Sequence, residues 1–191
     1  MHIFIKMKND LSKSIEIPSN IKINLVGNQL IVNGPEGENK KDLKLLKVNI
    51  EKKDNLIILS YKNATKKEKK IINTTSAHIK NLFLGVQKKF EYKLKICSSH
   101  FPMNVKMEGR EVIIKNFLGE KAERRTKVPE GVEVKIDKEF ITISSTDKEA
   151  AGQAAGNFEI ATKIKKRDKR VFQDGIYIIK KPGSEEWKRN F

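Results

Sequence analysis

The chain has 191 residues and carries 40 Lys and Arg against 24 Asp and Glu, a formal net charge of +16. That length holds one large domain or two small ones with a core of useful size, and so large a basic excess speaks to polyanionic partners rather than to fold. A single cysteine, Cys97, excludes an intramolecular disulfide and a cysteine-based zinc site, and no apolar run approaches the roughly 18 residues of a membrane-spanning helix.

Taken in chain order, the opening MHIFIKMKND offers too short an apolar stretch for a secretory signal, so a cytosolic location is expected. From there the chain repeats itself. IPSNIKI (17–23) aligns with FPMNVKM (101–107), GNQLIVNGPEGE (27–38) with GREVIIKNFLGE (109–120), and VNIEKKDNLIILS (48–60) with VEVKIDKEFITIS (132–144). In the first copy Ile21, Ile23 and Leu25 alternate, then Leu30 and Val32, then Val48 and Ile50, and LIIL (56–59) predicts a buried strand. The second copy matches these with Val112 and Ile114, with Val132, Val134 and Ile136, and with Phe140, Ile141 and Ile143.

Each copy then opens a helix with a Thr-x-x-Glu capping box, Thr65 to Glu68 and Thr146 to Glu149. The first helix carries Ile71, Ile72, Thr75, His78, Ile79, Leu82 and Phe83 on one stripe and is expected to stop at Gly85. The second carries Ala150, Ala151, Ala154, Ala155, Phe158, Ala161 and Ile164, small residues that imply close approach to a sheet. FEYKLKI (90–96) alternates like a strand, and the boundary is expected near 86–95. The expected fold class is α+β: two tandem similar domains, each a small antiparallel sheet, or two small sheets, packed by one helix. The domains are 1–86 and 87–180, followed by a tail, 181–191.

Candidates for chemistry are few. His2, His78 and His100 do not share metal-ligand spacing, and no nucleophile elbow, Walker loop or dinucleotide fingerprint is present. Neither an enzyme activity nor a cofactor or metal is expected. Cys97 reads as a small buried hydrophobe. GPEG (34–37) superficially resembles the loop of a KH domain but joins two strands, so Gly37 reads as a turn glycine. Gly119 is open between a turn and backbone contact with a phosphate, because Lys115, Lys121, Arg124 and Arg125 crowd around it.

Of the charge runs, KKEKK (66–70) reads as a solvated face at a helix start, where cations oppose the dipole. KIKKRDKR (163–170) holds six basic residues in eight and is expected at the end of the second helix, where cations suit the dipole. Lys163, Lys165, Lys166, Arg167, Lys169 and Arg170 there suit a phosphate-binding surface. Aromatics make up 7% of the chain and those in strands read as core, which favours folded, duplex-rich RNA over single strands.

The stretches 98–128 and 151–178 closely resemble the large-subunit ribosomal protein L-six family, in its archaeal and eukaryotic branch. The signature is Arg170, Phe172, Asp174, Gly175, Ile176, Tyr177, Ile178, and AHIKNLFLGV (77–86) is similar to the family's first helix. The resemblance covers roughly residues 14–181. It implies a structural constituent of the large ribosomal subunit, with large-subunit rRNA and neighbouring ribosomal proteins as partners, and with no membrane or small-molecule substrate. It implies rRNA contact mainly through the second domain, near the factor-binding region, in FLGEKAERR and KIKKRDKR. The family usually has Gln where this chain has Ile160. Trp187, in the tail, lies outside the family pattern and is open between insertion against rRNA or a neighbouring protein and disorder. The rival readings are an RNA-modifying enzyme and a free RNA chaperone.

Overall fold

A computed structural model describes residues 9–27, 29–43, 49–53 and 55–183. His2, Val48, Trp187 and the tail beyond residue 183 lie outside the described residues. The chain divides into two compact units, Met1–Lys88 and Lys89–Phe191. The first contains β1 (Asn9–Glu16), β2 (Lys22–Val26), β3 (Gln29–Gly34), β4 (Gly37–Asp42), β5 (Asn49–Lys53), β6 (Leu56–Ala64) and α1 (Lys66–Gln87). The second contains β7 (Phe90–Cys97), β8 (Asn104–Glu108), β9 (Glu111–Lys115), β10 (Arg124–Lys127), β11 (Val132–Asp137), β12 (Phe140–Ser145), α2 (Lys148–Ala161) and β13 (Gly175–Lys180).

Each unit is one helix with two small sheets, ordered β1-β6-β5 and β2-β3-β4 in the first, β11-β12-β7-β13 and β10-β9-β8 in the second. All described pairings are antiparallel. The fold is thus α+β, with β1 to β6 and α1 matched in order by β7 to β12 and α2. β13 is the addition, and it lengthens the sheet of the second unit along β7.

Alternation builds both cores. In the first unit Ile15, Ile23, Leu30, Val32, Ile57 and Leu59 meet Ile72, Ile79, Leu82, Phe83 and Val86 of α1. In the second, Leu94, Ile114, Ile141, Ile143 and Ile176 meet Ala151, Ala154, Ala155 and Phe158 of α2. The alanines leave room for the sheet to come close, and Phe158 fills the space between.

Several local expectations are corrected. LIIL (56–59) alternates, with Ile57 and Leu59 buried and Leu56 and Ile58 only half-buried, because only one face of β6 meets α1. Phe140, at the start of β12, is exposed on the face away from α2. Cys97 is half-buried. Ile71 lies at the edge of the α1 stripe and is exposed, whereas Ser76 is buried. α1 runs through Gly85, itself buried, and ends where Lys88 turns extended into β7. FEYKLKI forms β7, the strand its alternation implied, and lies in the interior of the second unit's sheet.

The capping box of Thr65 and Glu68 forms as expected. At α2 the cap shifts by one residue: Asp147, a stronger N-cap than Thr, accepts from Glu149 N–H at 2.9 Å. Its own N–H donates to Ser145 Oγ at 3.1 Å, and with Asp147 as N-cap the N3 position falls on Ala150, which has no carboxylate to close a capping box.

The β3–β4 turn also closes α1. Glu36 N–H donates to Val86 O at 2.9 Å, satisfying a carbonyl that the last helical turn leaves open. Gly34 permits this approach, since a Cβ there would lie 2.7 Å from Val86 O. Gly37, at φ 126°, supplies the turn conformation expected of it.

Candidate nucleic-acid interface

α2 ends at Ala161, with Thr162 as C-cap, so KIKKRDKR lies beyond the helix in the connection to β13 rather than in its last turn. That connection is fixed at several points. Thr162 is buried, its hydroxyl 3.2 Å from Phe158 O and accepting from Ile176 N–H at 2.9 Å. Ile164 is buried in the core of the unit. Asp168 shapes a turn: its carbonyl accepts from Phe172 N–H at 2.9 Å and Val171 N–H at 3.2 Å, and its carboxylate from Arg170 N–H at 2.9 Å.

Phe172 packs on the core, with the His100 ring 4.9 Å away and the Arg167 guanidinium 4.9 Å over it. Asp174 is buried and accepts from Ser99 N–H at 2.5 Å and His100 N–H at 2.9 Å, with His100 Nδ1 2.6 Å from its second oxygen. Burial pushes the Asp174 carboxyl up, but the bonds from His100 and Ser99 outweigh it and hold the group below its ordinary value.

Between these anchors the cations face outward. Lys163, Lys165, Lys166, Arg167, Lys169 and Arg170 are all exposed. Lys163, Lys165, Lys166 and Lys169 make no ion pair with any described residue, while Arg170 pairs with Asp168 at 3.3 Å. Lys166 takes a left-handed φ of 58°, which turns the chain sharply within the basic run.

The second candidate segment lies between β9 and β10. A short 3₁₀ turn, Phe117–Gly119, buries Phe117 and Leu118. Gly119, at φ 75°, packs against the Phe101 ring, with a Cβ there 3.3 Å from it, so the turn role accounts for this glycine. Lys121 is exposed, with no ion pair among the described residues.

Arg124 is committed within the fold. Its Nε and Nη2 donate to Glu120 at 2.8 and 2.6 Å, its Nη1 to Ala161 O at 2.9 Å and Lys163 O at 3.1 Å, and its guanidinium lies 4.2 Å from the Phe117 ring centre. Its planar fork is thus engaged by a carboxylate and by the end of α2, contacts that the sequence did not signal. Arg125 pairs with Glu123 at 3.1 Å and Glu111 at 3.3 Å, and Lys115 with Glu123 at 2.6 Å, which raises the lysine and lowers the glutamate.

Arg124 brings the two segments together. The Glu120 carboxyl is lowered mainly by its bond from Arg124 and also by the charges of Arg167 and Lys165, so the two loops share one electrostatic neighbourhood. The sequence showed the cations but not the groups that position them. Asp174 entered only as part of the family signature, and His100 only as a histidine without metal-ligand spacing. No signal in a single sequence separates a turn Asp from a buried acceptor.

The fold and this surface define a class: a duplicated α+β protein whose second unit presents an anchored loop of exposed cations, the arrangement of a nucleic-acid-binding protein. Residues 101–175, which span both candidate segments, match the family model of Ribosomal protein L6. The chain is 44% identical over 173 residues to the large ribosomal subunit protein uL6 of Archaeoglobus fulgidus, covering 88% of each chain. It is 42% identical over 173 residues to that of Methanococcus vannielii, covering 91% of this chain and 95% of the relative. To that of Sulfurisphaera tokodaii it is 44% identical over 179 residues, covering 92% and 96%. The chain belongs to the ribosomal protein L6 family.

Proposed function

We propose that the chain is a structural, non-enzymatic constituent of the large ribosomal subunit, at work in cytosolic ribosomes. It holds large-subunit rRNA through the second unit, near the factor-binding region, and touches neighbouring ribosomal proteins. The domains of this reading are 1–86 and 87–180, with a tail, 181–191. The observation that carries it is the connection 162–174, where Ile164, Phe172 and Asp174 fix the backbone and Lys163, Lys165, Lys166 and Lys169 stand exposed without ion pairs among the described residues. Cations held without internal partners bind phosphates by releasing counterions, at little ordering cost.

Arg167 and Arg170 extend the same surface, Lys121 joins it from the β9–β10 loop, and Lys115 and Arg125 reach it by exchanging carboxylates for phosphates. Arg124 and Gly119 act by shaping the loop. The test is binding of the full chain to a large-subunit rRNA fragment across a salt series. Replacing Lys165, Lys166 and Arg167 by Gln should reduce the slope of log affinity against log salt by about 2–3. An unchanged slope overturns the assignment of this loop. Fractionation separates a ribosomal constituent from a free RNA chaperone: the constituent stays with large subunits through a high-salt wash.

A further inference from the structure

One face of the sheet β11-β12-β7-β13 packs on α2, and the other is open. Cα register sets Tyr177 opposite Lys95, Lys95 opposite Phe140, and Phe140 opposite Asp137, one row across four strands. The neighbouring row holds Lys93, Thr142 and Lys135. Phe140 is 45% exposed and Tyr177 43%, against the sequence expectation that strand aromatics are core. Two strand spacings, about 10 Å, separate their backbones.

Tyr177 is held in place: its hydroxyl lies 3.2 Å from Gln173 O and 3.4 Å from Asp174 O. Its ring lies against Gly175, where a Cβ would come within 3.1 Å. Lys93 and Lys95 are exposed and make no ion pair with any described residue.

The matching face of the first unit has a different chemistry. There the rows are Glu16, Leu56, Lys53 and Ser14, Ile58, Glu51, with no aromatic among them. Where the first unit has Glu16 and Ser14 the second has Lys95 and Lys93, and where the first has Leu56 the second has Phe140. Neither core packing nor solubility asks for exposed rings set among lysines. Unpaired nucleotides do, since every base offers a π-face and every linkage a phosphate.

We propose that this face is a stacking platform for unpaired nucleotides of RNA, with Phe140 and Tyr177 taking bases and Lys93 and Lys95 the adjoining phosphates. The proposal rests on the RNA-binding reading above; Tyr177 lines one cavity with Lys163 and Lys169 of the basic loop, whereas Phe140 stands two strands away on β12, so a Phe140 variant lets the two readings fail separately.

The test uses the full chain and two labelled ligands of about twelve nucleotides, oligo(U) and an abasic RNA backbone of the same length, followed by fluorescence anisotropy. The wild-type chain should bind oligo(U) more tightly than the abasic strand. Phe140→Ala should weaken oligo(U) binding about tenfold, leave abasic binding unchanged and leave the salt slope unchanged, and Phe140→Trp should restore affinity. Tyr177→Leu should act in the same direction. Because the Tyr177 hydroxyl also holds the Gln173–Asp174 turn, Phe140→Ala is the deciding variant, its fold checked by circular dichroism. Neutralising Lys165, Lys166 and Arg167 should weaken both ligands alike. Equal wild-type affinity for the two ligands, or a Phe140→Ala variant that binds oligo(U) as the wild type does, overturns the platform and leaves the loop reading standing.

Discussion

The two units share a plan and part company at the same hairpin. In the first, the two-residue turn between β3 and β4 abuts α1, and a backbone N–H from Glu36 satisfies Val86 O. In the second, the equivalent hairpin carries residues 116–123, and a side chain, Arg124, satisfies the end of α2 through Ala161 O and Lys163 O. A seal made by backbone needs no length and adds no charge. A seal made by a guanidinium permits a longer loop, and that loop brings Lys121 to the surface beside the 163–170 run. Duplication thus kept the mechanical requirement, a satisfied helix end, and freed the second hairpin for display of cations.

The comparison can be broken most severely at the helix–sheet contact. Phe158→Ala removes the largest fully buried side chain of α2 beneath its alanines, and should cost about 3–5 kcal/mol in denaturant unfolding. A cost below about 1 kcal/mol would mean that α2 is not held by its core face.

Next in size is Asp174→Asn, which removes the charge that Ser99 and His100 bond and should cost about 3 kcal/mol. It also has a pH signature. The folded-state carboxyl lies below its ordinary value, so its stabilisation is complete above about pH 4 and is lost as pH falls through the folded value. Wild-type stability should therefore decline on acidification below about pH 4, and the Asn variant should show a shallower decline in thermal unfolding across pH.

Arg124→Lys keeps the charge and loses the fork. It should destabilise by about 1–2 kcal/mol while leaving the salt slope of RNA binding within error of wild type. A reduced slope would return Arg124 to the phosphate-binding set. The smallest effect separates the two helix starts: Thr65→Ala should cost about 1 kcal/mol, whereas Thr146→Ala should be nearly neutral because Asp147 is the cap there.

Much of this architecture was legible because it rests on local pattern. Alternation in Leu30 and Val32 or Ile141 and Ile143, the stripe of Ile72, Ile79 and Phe83, and the capping box at Thr65 each follow from short-range geometry, and the repeat doubled every signal. What stayed hidden depends on long-range contacts. That Phe140 faces outward follows from which side of the sheet α2 covers, and alternation alone does not say which side is wet. That Arg124 is spent internally follows from the position of a helix end 37 residues away. The anchoring of the basic loop by Asp174 and His100 spans 74 residues, beyond the reach of any local motif.

The outer margin of β13 has a consequence of another kind. Its N–H groups at Ile176 and Ile178 are occupied by Thr162 Oγ1 at 2.9 Å and Glu159 Oε1 at 3.0 Å, both side chains from the end of α2. An edge strand with free donors is a template on which a second molecule can extend the sheet. Here the template is blunted by the protein's own helix, so at these two positions β13 has no free donor to offer a second copy of the chain.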